Sequence, residues 1–156
     1  SRGLGDVYKR QIEMMPIGMG KACHGKSRDE LLELLEKALG NAEPYEKHLG
    51  NGPAEYVSFS GFQGRIGFIS AVSHKFCDSC NRIRLTAEGY LKLCLQYESG
   101  IDLRKLLRSG ATDEELKEAM RQAIWKKPAC HNFSDERRDE EVGQKKEHRA
   151  MYGIGG

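Results

Sequence analysis

The clearest pattern of apolar and polar positions lies between Ser27 and Gly40. Ser27 is followed three residues later by Glu30, which is the spacing of a helix capping box. Leucine and alanine residues then recur on one face, and Gly40 can end the element. The pattern predicts a helix over residues 28–39 with an apolar face turned toward a core.

The stretches on either side of this helix predict less regular structure. Residues 12–15, Ile-Glu-Met-Met, are apolar except for one carboxylate and are closed by Pro16 and Gly18. This pattern is typical of the end of a buried strand that leads into a loop. Residues 41–54 contain two prolines and two glycines and predict a long connection.

Further along the chain the pattern changes to a period of two, which is typical of strands. Residues 56–59 and 65–70 alternate in this way on either side of a glycine-rich turn at 61–64. They predict a β-hairpin.

A second hairpin is predicted from residues 82–86 and 90–95. The turn between them, 87–89, ends in Gly89, which suits a positive φ. Two helices are predicted to follow. The first begins at Asp102 and ends at Gly110, and the second is capped by Thr112 and stopped by Pro128.

Composition and charge exclude several classes of protein. Of 156 residues, 38% are hydrophobic and 31% are charged, which favours one modest globular body. The 25 basic and 23 acidic residues give a net charge of +2, too small to indicate a nucleic acid or an anionic membrane as partner. Without a long apolar run or a secretory signal pattern, we expect a cytoplasmic protein. The charged residues 134–148 predict a solvated or disordered tail.

The cysteines carry the strongest chemical signal. Cys77 and Cys80 have the Cys-x-x-Cys spacing, and the predicted second hairpin returns Cys94 to their side. In a reducing compartment this spacing indicates metal or redox chemistry rather than disulfides. The other cysteines, Cys23 and Cys130, are interpreted as buried thiols that bind no metal.

Two kinds of metal site are compatible with this spacing. Three thiolates can hold a 4Fe-4S cluster and leave one iron open to a substrate nitrogen or oxygen. A structural zinc knuckle is the alternative, and it needs a fourth ligand from His74, His131 or Cys130. The spacing alone does not decide between them.

Arg82 and Arg84 lie two residues apart on a predicted strand directly after Cys80. Their guanidinium groups are therefore expected on one face, where they suit a polyanion or the edge of a purine. Ordinary surface arginines are the other interpretation of this pair.

Residues 64–95, GRIGFISAVSHKFCDSCNRIRLTAEGYLKLCL, resemble the C-terminal cluster segment of GTP 3',8-cyclases nearly position by position. These are radical-SAM enzymes of molybdenum cofactor biosynthesis. Four shorter stretches are also similar to the family: Ile-Glu-Met-Met-Pro-Ile-Gly from Ile12, Gly-Asn-Gly-Pro-Ala from Gly50, Lys-Pro-Ala-Cys-His from Lys127, and Ile-Gly-Gly from Ile154.

The resemblance implies an α/β fold, namely the C-terminal part of an incomplete parallel, TIM-like radical-SAM barrel with a β-hairpin and helix cover. Residues 12–54 would supply the last barrel strand, its helix and a connection, and residues 55–133 would form the domain that binds the auxiliary cluster and GTP. Residues 134–156 would be a charged tail. Residues 1–11 do not match the family and are expected to be a non-native leader.

The resemblance also implies roles for individual residues. Cys77, Cys80 and Cys94 match the ligands of an auxiliary 4Fe-4S cluster that binds the guanine of GTP, and Arg82 and Arg84 match arginines of the GTP pocket. The terminal pair, Gly155 and Gly156, matches a diglycine tail that reaches into the active site.

The family's N-terminal Cys-x3-Cys-x2-Cys motif has no counterpart in the sequence. We therefore expect a fragment that lacks the N-terminal half of the barrel and is inactive alone. The full-length protein would use S-adenosylmethionine and a second 4Fe-4S cluster to convert GTP to (8S)-3',8-cyclo-7,8-dihydroguanosine 5'-triphosphate, and a homodimer is compatible with it. An auxiliary-cluster domain of a peptide-modifying radical-SAM enzyme is a further alternative, although such domains usually carry more cysteines.

Overall fold

The fold consists of two compact units that mix helices and strands. The computed structural model describes residues 8–47, 49–133 and 145–154. Each unit is formed by two stretches of chain: unit 1 by Ser1–Met15 and Cys23–Ser79, and unit 2 by Pro16–Ala22 and Cys80–Gly156. The predicted α/β class is confirmed, whereas the barrel stays a prediction. None of the helices in the described ranges is both long and apolar enough to span a membrane.

Unit 1 is built on a four-stranded sheet with strand order β1-β4-β3-β2. Its strands are β1 (Tyr8–Ile12), β2 (Ala42–Tyr45), β3 (Glu55–Phe59) and β4 (Arg65–Ile69). Strand β1 is parallel to β4, and the other neighbours are antiparallel. The pairing of β3 with β4 confirms the first predicted hairpin.

The first strand lies earlier in the chain than its apolar residues indicate. The prediction of a buried strand over residues 12–15 was wrong, because β1 ends at Ile12, and both Ile12 and Met14 are about half exposed. The strand is placed by its parallel ladder with β4, in which Tyr8 pairs with Arg65. It therefore begins inside the segment that was expected to be an unmatched leader.

A strand also replaces part of the predicted connection over residues 41–54. Strand β2 contains Pro44, which lies opposite Val57 in the ladder. Because β2 forms the edge of the sheet and pairs with β3 alone, a proline without an N–H group can be accommodated there. The turn residues in this stretch therefore mark an edge strand as well as loops.

Helix α1 (Arg28–Leu39) covers one face of this sheet and has the predicted bounds. The Ser27 hydroxyl accepts the Glu30 N–H, and the Glu30 carboxylate accepts the Ser27 N–H, so the capping box is confirmed. The core beneath the helix is formed by buried strand residues and the apolar helix face: Val57, Phe59 and Phe68, with Leu31, Leu32, Leu35, Leu39, Ala42 and Ile66 packed against them. Burial of this face, more than local propensity, stabilises such a short helix.

Unit 2 contains a three-stranded antiparallel sheet and two helices. Its elements are β5 (Arg84–Leu85), β6 (Tyr90–Lys92), β7 (Gly100–Asp102), α2 (Leu103–Arg108) and α3 (Asp113–Trp125). The second hairpin is confirmed, although both of its strands are shorter than predicted. Strand β7 was not predicted.

The helix caps in unit 2 follow the sequence signals. Asp102 ends β7 and accepts the Lys105 N–H, which caps α2. Thr112 and Glu115 form a second capping box at the start of α3. Helix α3 ends at Trp125, three residues before Pro128. The proline disfavours the helical conformation at Lys127, the residue before it, so the helix cannot continue past this point.

A buried ion pair joins the hairpin to the C-terminal tail of unit 2. Lys92 is 1% exposed, and its Nζ donates to the Tyr97 carbonyl and to Oε2 of Glu147, both at 2.5 Å. Arg149 donates from its backbone N–H and from Nε to Oε1 of Glu147, both at 2.9 Å, and from Nη2 to Oε2. Every charge in this network therefore has an opposite charge within hydrogen-bond distance.

The tail continues to pack against unit 2 beyond this pair. Lys146 forms a β-bridge with Tyr97, and Ile154 is 0% exposed. The prediction of a solvated or disordered run through residue 148 is therefore wrong for Glu147, which is 3% exposed, whereas Lys145, Lys146 and His148 are exposed. The remainder of that run, residues 134–144, and the terminal pair 155–156 lie outside the described residues.

We predict that the Lys92–Glu147 pair makes stability depend on acid pH. Burial raises the pKa of Glu147, but hydrogen bonds from Arg149 and Lys92 outweigh it and lower the pKa to about 2, from 4.5. A lowered pKa in the folded state stabilises the protein above pH 4.5, and this contribution is lost as the pH falls toward 2. Glu147→Gln should cost about 3–5 kcal/mol of unfolding free energy at neutral pH, because it leaves Lys92 buried without a counter-charge.

Urea unfolding at a series of pH values measures this effect in the wild-type chain and in Glu147→Gln. The difference between the two should narrow as the pH falls below 4.5. The control is Glu118→Gln, which removes an exposed ion pair with Arg121 and should change stability by less than about 0.5 kcal/mol. A pH-independent difference for Glu147→Gln would contradict the prediction.

Candidate functional site

A carboxylate in unit 1 orders the loop that leads to Cys77. Glu13 follows β1, and its Oε2 accepts the backbone N–H groups of Val72 at 2.7 Å and Ser73 at 2.9 Å. The Glu13 N–H donates to the Ile69 carbonyl at the end of β4. A charged acceptor therefore satisfies two amides at the point where the chain leaves the sheet.

The cysteine motif falls on the boundary of the two units. Cys77 begins the 3₁₀ helix Cys77–Ser79 at the end of unit 1, and Cys80 and Cys94 belong to unit 2. The side chains of these cysteines are all partly buried. That the three thiols meet at one metal stays a prediction.

Within unit 2 the short hairpin places an arginine beside both thiols. Arg84 lies on β5 opposite Lys92 of β6, and Cys94 follows β6 by two residues. The prediction that Arg82 shares this strand was wrong, because β5 begins only at Arg84. Both arginines are nevertheless partly buried.

The electrostatics of Arg84 show which groups surround it. Burial lowers the pKa of Arg84, and the neighbouring Arg82 guanidinium lowers it further, whereas Cys80 and Cys94 act to raise it. An arginine keeps its charge at neutral pH under such conditions. Arg84 therefore lies in a site that already contains one other cation and two potential thiolates.

Lys127 adds a third cation to the same site. Its Nζ is 3.4 Å from Sγ of Cys80 and donates a hydrogen bond of 2.6 Å to the Arg82 carbonyl. Sequence reasoning did not single out Lys127 as a functional residue. The local signal was its place directly before Pro128. A residue at this position lies beyond the end of α3 and is not part of the helix surface.

This donor set fits an anionic metal–thiolate group. Lys127 contacts Cys80, Arg84 lies near Cys80 and Cys94, and Arg82 lies near Arg84. Positive charge beside the two thiols would stabilise the negative charge of a bound cluster. Three cysteines in the sequence leave one iron of a 4Fe-4S cluster without a protein ligand. The residues present are therefore suited to such a cluster.

A compact zinc site is less well supported within unit 2. Zinc–sulfur bonds of about 2.3 Å place tetrahedral sulfur ligands about 3.8 Å apart. No three donor atoms from Cys80, Cys94, Cys130 and His131, all of them in the described part of unit 2, lie within 4.8 Å of one another. His131 instead stacks its ring on Phe133, with 4.4 Å between centroids.

The remaining cysteines differ from their interpretation as buried thiols. Cys23 and Cys130 are both exposed, so that expectation was wrong. Each lies in a loop outside the helices and strands, where a thiol is not enclosed by the core.

One acidic cluster elsewhere in unit 2 is explained by ion pairs. Glu98, Glu147 and His148 have donor atoms within 4.8 Å of one another, the one such group of three among the described residues. Both oxygens of Glu147 are already bonded to Lys92 and Arg149, and Nδ1 of His148 is 2.6 Å from Oε1 of Glu98. The cluster therefore stabilises the tail and is not needed to hold a metal.

Comparison with known proteins places the chain in a family. Residues 9–133 match the family described as Molybdenum Cofactor Synthesis C. Over 147 residues the chain is 46% identical to the GTP 3',8-cyclase of Clostridium perfringens (strain SM101 / Type A), which covers 94% of this chain and 44% of the relative. The GTP 3',8-cyclase of Syntrophomonas wolfei is 39% identical over 153 residues, covering 96% of this chain and 45% of the relative.

A third relative covers a similar share of the chain. The GTP 3',8-cyclase of Cyanothece sp. (strain PCC 7425 / ATCC 29141) is 42% identical over 151 residues, covering 94% of this chain and 44% of the relative. The chain thus spans less than half the length of the curated relatives that it matches, and the match covers their C-terminal part.

We predict that Glu13 controls the order of the loop before Cys77. Glu13→Ala removes the acceptor of the Val72 and Ser73 amides, and charge-assisted hydrogen bonds of this kind contribute about 1.5–3 kcal/mol. Hydrogen exchange at these two amides should accelerate by about 10- to 150-fold, and Glu13→Gln should show a smaller effect. Glu43→Ala on the exposed face of β2 is the control, and unchanged exchange in Glu13→Ala would contradict the assignment.

Proposed function

Because the chain belongs to the Molybdenum Cofactor Synthesis C family, we propose that it is the C-terminal part of a GTP 3',8-cyclase. Its place in molybdenum cofactor biosynthesis follows from the family, and the relatives that carry this activity are more than twice as long. We assign the S-adenosylmethionine chemistry, with its own 4Fe-4S cluster, to the remaining part of the longer protein. This chain would bind the auxiliary cluster and the substrate.

The metal ligands in this proposal are Cys77, Cys80 and Cys94. The observation that carries it is the convergence of cations on the two thiols of unit 2, since Lys127 contacts Cys80 and Arg84 lies within electrostatic range of both sulfurs. A 4Fe-4S cluster held there supplies one iron open to a nitrogen or oxygen of the substrate.

Arg82 and Arg84 would bind GTP beside that iron. A guanidinium offers several N–H donors in one plane, which suits both phosphate oxygens and the edge of a purine. Arg84 is partly buried and carries a charge whose burial is unfavourable, so an anionic partner would be bound strongly. These residues would hold the ribose of GTP in one orientation, and such positioning is itself a large part of catalysis.

The proposal also includes the last two residues. Gly155 and Gly156 follow Ile154, which is wholly buried in unit 2, and the tail before them is joined to the hairpin through Glu147. A role for these glycines near the substrate is part of the proposal and rests on the resemblance to the family.

Anaerobic reconstitution with iron and sulfide tests the cluster. We predict about four irons and about four sulfides per chain, with a brown absorption band that changes when GTP is added. Cys80→Ser and Cys94→Ser should each lose most of the iron, because each removes one of three thiolate ligands.

Cys130→Ser is the matched control, because Cys130 is exposed and lies in the same unit. It should bind iron as the wild-type chain does. A colourless protein that retains about one zinc per chain would instead establish a structural knuckle and overturn the proposal.

Substitution of Arg84 tests the substrate site. We predict that Arg84→Ala weakens GTP binding to the reconstituted chain by about 10- to 150-fold, the equivalent of one charge-assisted interaction of about 1.5–3 kcal/mol. Isothermal titration calorimetry measures this, with the iron content of each variant determined in parallel. Arg108→Ala, an exposed arginine on α2, should bind GTP normally, and equal affinities for Arg84→Ala and wild type would refute the assignment.

A further inference from the structure

Lys127 contacts the proposed cluster ligand without being a ligand itself. Its ammonium group lies 3.4 Å from Sγ of Cys80 and donates to the carbonyl oxygen of Arg82 at 2.6 Å. It therefore bridges a sulfur atom and the backbone of the residue that follows that sulfur by two positions. An ammonium group has three N–H donors, so both contacts can be made at once.

The backbone of Lys127 is fixed at the end of α3, and its side chain is directed toward Cys80. The Lys127 N–H donates to the Ile124 carbonyl at 3.0 Å, and Pro128 follows with a fixed φ. The Lys127 side chain is partly buried, whereas that of the neighbouring Lys126 is exposed. Two lysines that are adjacent in the chain are thus placed in very different environments.

The chemistry of this contact has a direct consequence for a metal–thiolate group. A hydrogen bond from a cation to a thiolate stabilises its negative charge, and reduction of a cluster adds further negative charge. An N–H donor to a ligand sulfur therefore favours the reduced state and raises the reduction potential. The same ammonium group also donates to the Arg82 carbonyl, so the group that contacts the sulfur also fixes the backbone of Arg82.

We propose that Lys127 is a positioning residue that donates to the Cys80 thiolate, raises the reduction potential of the bound cluster, and holds the Arg82 backbone beside it. This inference rests on the proposed function, because it requires that Cys80 be a cluster ligand. It assigns to Lys127 a role in the electronic properties of the cluster and none in proton transfer.

Redox titration of the reconstituted chain tests the inference. Lys127→Met keeps an unbranched side chain and removes the charge and the donors, so the midpoint potential should shift to more negative values. Lys127→Arg should retain a potential close to that of the wild-type chain. Lys126→Met is the matched control, because it removes a charge from an exposed side chain one residue before Lys127. The midpoint potential of this variant should be unchanged.

The iron content separates failure of this inference from failure of the proposed function. If Lys127→Met binds a full cluster at an unshifted potential, the role of Lys127 is overturned and the cluster assignment stands. If the wild-type chain binds no cluster, the proposed function itself fails. Should Lys127→Met not take up iron, Lys127→Ala decides the question, since it also removes both the charge and the donors, and an unshifted potential in that variant overturns the inference.

Discussion

Lys92 places an ammonium group in the core of unit 2, where it is 1% exposed and its neighbours in the chain, Leu91 and Leu93, are buried as well. A charge at such a position is unfavourable unless it is paired and hydrogen-bonded. The Tyr97 carbonyl supplies one partner within the same stretch of chain, and Glu147 supplies the other from the C-terminal tail. The tail is consequently part of the core of unit 2, and the bridge between Tyr97 and Lys146 extends this contact into the backbone.

Strand pairing places Lys92 of this ion pair next to Arg84 of the candidate site. Arg84 lies directly opposite Lys92 in the antiparallel ladder, and like charges in that arrangement destabilise each other. The Glu147 carboxylate offsets the charge of Lys92. The pKa of Arg84 is shifted by other groups: burial and Arg82 lower it, and Cys80 and Cys94 act to raise it.

The parts of the fold that could be predicted from the sequence are those decided by neighbouring residues. Helix α1 has its predicted bounds because the capping box of Ser27 and Glu30 and the apolar face are local features. Strand β2 was missed because Pro44 is tolerated only at a sheet edge, and the edge exists through pairing with β3. Likewise, the burial of Glu147 depends on a lysine 55 residues away.

In the candidate site, too, the features set by neighbouring residues could be predicted, whereas the contacts between distant residues could not. The spacing of Cys77 and Cys80 and the placing of Cys94 after a hairpin are visible in the sequence, as is the pair Arg82 and Arg84. The contacts of Glu13 with Val72 and of Lys127 with Cys80 span 59 and 47 residues and leave no local pattern.

The accumulation of positive charge at this site is best understood as preparation for an anionic occupant. The whole chain carries a net charge of only +2, yet Lys127 contacts Cys80, Arg84 lies near Cys80 and Cys94, and Arg82 lies near Arg84. Burial and Arg82 both lower the pKa of Arg84, which means that its positive charge is destabilised by its surroundings. In the proposed function, cluster thiolates and the triphosphate of GTP would supply negative charge beside these cations and would stabilise them.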